Sequence, residues 1–285
     1  MKAYTIGLYE KAMPDNLSWF QKLTEAKNAG YDYVELSIDA TEEKIKRIEM
    51  NDEERLNLIE DMHRAGIPIR SFCVSALTKY ALGDENSILC ERGMRILTGA
   101  LKLAEDLGAR IVMIPGYDVY YGVSTPKTQQ RFIKNLKKAT EEAAAMGVQI
   151  GIETMENLFI NTVWKAMYYV NIIGSNYLGI YPDSGNIKNA CLLQGCDERQ
   201  DMMSGRGHVL ALHLKESKPG IYREVAYGEG NVDFEKFISA AWDIGVRKYV
   251  TEFWYKGKQD WKNDLLSACL KMRNTINRKF DKERG

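Results

Sequence analysis

Seven times along the chain a helical pattern runs into a glycine, and within a few residues an apolar, strand-like run begins. Gly30 precedes YDYVELS, Gly66 IPIRSFCVS, Gly108 ARIVMI, Gly147 VQIGIE, Gly174 SNYLGIY, Gly207 HVLALHL and Gly245 VRKYVTEFW. Glycine is favoured just past a helix end because it enters the left-handed region without a Cβ clash. Each therefore reads as a helix-to-strand turn, and the opening run YTIGLYE supplies an eighth strand that needs no preceding helix.

The segments between the runs carry helical spacing. Phe132, Leu136, Ala139, Ala143 and Met146 recur at intervals of three or four, behind Thr125 as a cap and Pro126 in the first turn. Ile88, Leu97, Leu101, Ala104 and Leu107 mark a second helix before Gly108. Eight strand-helix units in a chain of 285 residues predict a closed (β/α)8 TIM barrel in preference to an open doubly wound sheet. Gly228-Glu229-Gly230 lacks the third glycine of a dinucleotide fingerprint. No linker or low-complexity stretch divides the chain, so residues 1–285 read as a single domain whose charged tail, FDKERG at 280–285, is expected to fray.

Lys+Arg 39 against Asp+Glu 39 gives zero formal charge, which argues against a nucleic-acid or anionic-membrane surface. The apolar stretches are strand-sized, short of the roughly 20 residues of a membrane helix, and MKAYTIGLYEKAMPD lacks a secretory pattern. A cytoplasmic protein is expected. Cys73, Cys90, Cys191, Cys196 and Cys269 form no CxxC or metal-finger spacing and are expected to be reduced, structural thiols.

Chemistry enters at the strand tips. Glu153, Asp183, His213 and Glu252 each close an apolar run, thirty residues apart from Glu153 to Asp183, thirty more to His213 and thirty-nine to Glu252. Those are the lengths of strand-plus-helix units, so the four side chains belong on one rim, at the C-terminal strand ends where barrel enzymes build their sites. Converging carboxylates repel one another unless a divalent cation relieves them, and mixed oxygen and imidazole donors suit Mn²⁺, Co²⁺ or Zn²⁺. Two positions earlier stand Gly151, Tyr181, Ala211 and Val250, of which the small ones would leave space for a substrate. His63 and His208 read as structural or surface residues.

Several motifs then converge: GLYEK at 7–11, CVSA at 73–76, GYDVYY at 116–121, YPDSGN at 181–186, HLKESKPG at 213–220 and YGEGNVDFE at 227–235. Across essentially the whole chain they resemble the L-ribulose-5-phosphate (L-xylulose-5-phosphate) 3-epimerases, sugar isomerase/epimerase barrels related to endonuclease IV. The resemblance implies one divalent metal held by Glu153, Asp183, His213 and Glu252, with Glu153 and Glu252 doubling as acid and base, a small sugar phosphate as the only substrate partner, and a homodimer.

Epimerising C3 of a 2-ketose removes a proton next to the carbonyl and returns one to the opposite face, through an enediolate that a cation stabilises. Glu153 and Glu252 flank the intervening strands and suit the two faces. Barrels commonly bind phosphate near the loops after the seventh and eighth strands. Here that segment carries Lys215, Lys218 and Arg223, followed by the amides around Gly228 and Gly230, and the resemblance favours Lys218 and Arg223 as phosphate ligands. Glu10, Glu35, Ser75 and Tyr117 lie at or beyond strand ends as further pocket-lining expectations, Glu10 and Ser75 mainly on the resemblance. The rivals are another isomerase of the barrel, acting on a free ketose or between C1 and C2, a non-catalytic sugar-binding barrel, and an apurinic endonuclease. The endonuclease needs more histidines than the three present, and Asn186 stands three residues after Asp183 where a histidine ligand would serve it.

Overall fold

The computed structural model describes residues 2–282. Its strands are β1 (Thr5–Tyr9), β2 (Tyr33–Ser37), β3 (Ile69–Cys73), β4 (Ile111–Pro115), β5 (Gln149–Glu153), β6 (Leu178–Tyr181), β7 (Leu212–Leu214) and β8 (Lys248–Thr251). They pair in parallel in the order β6-β5-β4-β3-β2-β1-β8-β7. Isolated parallel bridges Ile180–Val209 and Asp183–His213 bring the two ends of that sheet together. The expected TIM barrel is therefore the observed architecture.

Helix α1 (Trp19–Asn28) follows β1, α2 (Glu42–Ile45) and α3 (Asp52–Ala65) follow β2, and α4 (Ser87–Asp106), α5 (Pro126–Ala145) and α6 (Val163–Ile173) follow the next three strands. Helices α7 (Ser184–Gln194) and α8 (Glu198–Ser204) connect β6 to β7, while α9 (Phe234–Asp243) and α10 (Trp261–Lys282) follow β7 and β8. All seven turn glycines have φ between +65° and +93°, the region where a Cβ is penalised. Thr125 caps α5 with Pro126 in its first turn.

Strand alternation divides the interior in two. Outward side chains such as Ile6, Leu8, Val34, Phe72 and Ile150 join the helix residues Leu97, Leu101, Phe132 and Leu136 in the main core. Tyr9, Tyr33, Cys73, Met113, Tyr181, Ala211 and Val250 form a second cluster, on the alternate strand positions that fill the barrel itself.

Two expectations need correction. Ile88 is 71% exposed, because the nine residues to Leu97 are two and a half helical turns and place it on the opposite face of α4. Cys191 and Cys196 form a disulfide with Cα atoms 4.5 Å apart. Gly195, in the left-handed region, ends α7 and folds the chain back so that Cys196 N–H donates to Cys191 O. Cys73, Cys90 and Cys269 are free and buried. Helix α10 continues to Lys282, with the Phe280 ring 5.6 Å from that of Trp242; the rest of the tail expected to fray, 283–285, lies outside the described residues.

Candidate metal centre and active site

Glu153 ends β5, His213 lies within β7, and Asp183 and Glu252 stand just beyond β6 and β8. Glu252 is held in line by its N–H to Leu214 O at 3.1 Å, and His213 by its N–H to Pro182 O at 2.9 Å. Asp183 caps α7, its Oδ1 accepting from Asn186 N at 2.6 Å. The four residues are buried and offer ligand atoms that all lie within 4.8 Å of one another.

The donor set fits a cation. His213 Nδ1 lies 3.2 Å from both Glu153 Oε1 and Glu252 Oε2, and Lys215 Nζ lies 3.2 Å from Asp183 Oδ1 and 3.6 Å from Glu252 Oε2. Even so, Asp183 Oδ2 and Glu252 Oε2 are buried with no hydrogen-bonding partner. Orphaned carboxylate oxygens are costly in a dry interior, and a divalent ion among three carboxylates and an imidazole would satisfy them. Electrostatics carry the same tension. Burial, then the neighbouring carboxylates, push the Asp183 carboxyl well up, and burial and Glu252 raise Glu153. For Glu252 burial is outweighed by Lys215 and His213, which hold it down. His213 is pushed up in turn, its burial outweighed by Glu35 and Glu252.

Above the cluster opens a cavity of about 870 Å³ including its mouth, ample for a small sugar phosphate. Glu153 and Glu252 line it, together with Tyr9, Cys73, Ser75, Lys215 and Trp254, whereas Asp183 and His213 are fully buried outside its lining. Lys11 and Arg223 also face it, Lys11 bound to Asp39 at 2.6 Å and Arg223 to Glu156 at 2.8 Å.

The other expected contacts scatter. Ser75 lines the cavity, but Tyr117 is buried with its hydroxyl donating to Glu156. Glu10 is fully buried, accepting from Lys22 Nζ at 2.7 Å, Arg47 Nη1 at 2.6 Å and Ser37 N at 2.9 Å, which makes it an anchor for the rim. Lys218 lies outside the lining, in a tight hairpin paired with Ile221 in both directions. The loop amides near Gly228 and Gly230 are taken by Glu216, whose carboxylate accepts from Gly228 N at 3.1 Å and Val232 N at 3.1 Å. A Cβ on Gly230 would sit 2.2 Å from Ser217 O and 2.3 Å from Glu216 Oε1, so the loop packs too closely on that backbone carbonyl and carboxylate for any larger residue. Beneath Glu153, Gly151 leaves no open space either, since a Cβ there would meet Tyr181 at 3.1 Å. His63 and His208 are remote from the cluster, in α3 and just before β7.

Two residues belong at the centre that the spacing did not place there. Lys215 Nζ donates to Asn186 Oδ1 at 3.0 Å and reaches Asp183 and Glu252 instead of the loop. The signal was available: Lys215 is two residues after His213 and so points the same way. Glu35, expected at the pocket wall, lies instead beneath the cluster, 2.6 Å from His213 Nε2.

The profile of the xylose isomerase-like TIM barrel family matches residues 23–271. The chain belongs to this family. Within it, the chain is 33% identical over 269 residues to L-ribulose-5-phosphate 3-epimerase UlaE of Shigella flexneri, covering 94% of this chain and 93% of that protein. It is 34% identical over 268 residues to the enzyme of the same name from Escherichia coli O157:H7, with the same coverage. Among solved structures the fold is shared with an L-ribulose 3-epimerase, TM-score 0.81 at 16% identity over 99% of this chain and 97% of that one. It is shared too with the D-psicose 3-epimerase of Clostridium cellulolyticum H10, TM-score 0.78 at 14% identity over 95% and 99%. Among the described residues no helix is long and apolar enough to cross a membrane.

Proposed function

We propose that this member of the xylose isomerase-like barrels is a cytoplasmic isomerase that epimerises C3 of a ketopentose 5-phosphate, interconverting L-ribulose 5-phosphate and L-xylulose 5-phosphate. One observation carries the division of labour: of four clustered ligand residues, only Glu153 and Glu252 line the cavity. Asp183 and His213 then hold one divalent ion, Mn²⁺, Co²⁺ or Zn²⁺, together with the glutamates. When bound, that ion supplies positive charge for the C2 oxygen as the enediolate develops.

The remaining steps belong to the chain's own residues. One glutamate takes the C3 proton from one face of the substrate, leaving the electron pair delocalised onto the C2 oxygen. The other delivers a proton to C3 from the opposite face, and the isomer bound decides which acts first. Lys215, buried beside Asp183 and Glu252, offsets part of the carboxylates' charge and lets an anionic substrate approach. Substrate phosphate falls to Arg223 at the cavity wall, with Lys11, also in the lining, as a second cation. The identity to the named 5-phosphate epimerases favours the phosphorylated ketose over a free one.

Glu153→Gln and Glu252→Gln test the reading, because each keeps shape and a ligand oxygen while removing the base. Each is expected to lower kcat by at least about a hundredfold. A metal-replete, folded variant within about tenfold of the parent would refute the two-base assignment.

A further inference from the structure

Glu35 sits on β2, across the barrel from β7, and is fully buried outside the cavity lining. Its Oε1 is 2.6 Å from His213 Nε2, while its Oε2 accepts from Ser71 Oγ at 2.7 Å and Tyr181 OH at 2.8 Å. Backbone geometry contributes to this arrangement. The β2–β3 register shifts between Val34 and Glu35, so Arg70 becomes an extra residue and Ser71 stands opposite Glu35. A bulge of this kind re-aims a side chain, and here it replaces an arginine, which would draw Glu35 away, with a hydroxyl that orients it. The Tyr181 ring also packs edge-on against His213, centroids 4.7 Å apart, so one tyrosine braces both the imidazole and the carboxylate that holds it.

Resting on the metal-centre reading above, we infer that Glu35 is a positioning residue for the ion. By accepting from Nε2–H it fixes the ring so that Nδ1, already 3.2 Å from Glu153 and from Glu252, is the nitrogen presented to the metal. A carboxylate behind a metal-bound histidine sets the tautomer and ring orientation and raises ligand basicity, and its loss typically weakens metal affinity roughly 10–100-fold. An uncharged network would satisfy the same hydroxyls without needing a buried acid on this strand, which otherwise costs stability.

The test is Mn²⁺ binding to the chelator-stripped full-length protein by calorimetry, without substrate. Glu35→Gln is isosteric and is expected to fold. It should raise the Kd for Mn²⁺ roughly tenfold, and Glu35→Ala roughly 10–100-fold, with turnover recovering as Mn²⁺ is raised to saturation. Tyr181→Phe removes a hydroxyl from Glu35 but leaves the Nε2 contact, and is expected to shift Kd by less than about threefold. If Glu35→Ala does not fold, Glu35→Gln decides. The inference falls if Glu35→Gln binds Mn²⁺ within about twofold of the parent, or if Tyr181→Phe weakens binding as much, which would assign the effect to packing. Weakened binding in a protein inactive on pentose phosphates would support Glu35 and count against the proposed substrate alone. A parent that binds no divalent ion would overturn both.

Discussion

Replacing Glu10 by Gln asks whether this residue holds the barrel rim or the sugar. Burial would raise the pKa of its carboxyl, but the Arg47 guanidinium and the ammonium groups of Lys22 and Lys44 outweigh it and hold the value at about 2, against 4.5. A lowered folded-state pKa stabilises the fold in full above the unfolded value near 4.5, and the contribution is lost as the pH falls towards 2. The difference corresponds to about 3 kcal/mol. Removing one partner of a buried ion cluster costs a similar amount, roughly 3–5 kcal/mol, because the remaining cations are left uncompensated. Glu10→Gln is therefore expected to lower Tm by roughly 6–20 °C at pH 7. Urea unfolding followed from pH 7 downwards should show the gap to the parent closing as the pH drops below about 4. Turnover of the folded fraction should keep KM within about twofold. An unchanged Tm combined with a raised KM would refute the anchor and return Glu10 to the sugar.

Three further outcomes follow from the site. Mn²⁺ at about a hundredfold over its Kd should add about 2.7 kcal/mol, seen as a Tm rise of roughly 5–10 °C that chelation reverses; no shift would speak against a metal among the four ligands. Gly116→Ala places a Cβ 2.4 Å from Glu153 O, so it should destabilise by roughly 1–3 kcal/mol and, by displacing the end of β5, lower kcat at least about tenfold; steady-state kinetics at saturating metal check this. Arg223→Ala should raise KM for the phosphorylated ketose well beyond its effect on the free ketose, and an unchanged KM would remove Arg223 from the phosphate site.

How much of this was legible depended on how local each signal was. The turn glycines announce the barrel because a positive φ is a property of one residue, and the four strand tips converge because a fold of repeating units turns sequence spacing into angular spacing. What the chain did not disclose depends on partners far apart in sequence. Lys22 lies in α1, Lys44 in α2 and Arg47 just beyond it, so the burial of Glu10 among them is invisible until those helices dock. Glu216 likewise takes the loop amides that seemed free for phosphate. Nothing in a residue count places Glu35 under His213, 178 positions away. The Cys191–Cys196 pair is the exception, since Gly195 between them was a local clue to a chain reversal.

The most direct test of the account follows hydrogen at C3. Metal-loaded protein is incubated with L-ribulose 5-phosphate in D₂O, and aliquots are quenched with chelator and examined by NMR. The account predicts deuterium at C3 appearing together with L-xylulose 5-phosphate, both abolished when chelator is present from the start. Deuterium at C1 with none at C3, or no exchange at all, would contradict it.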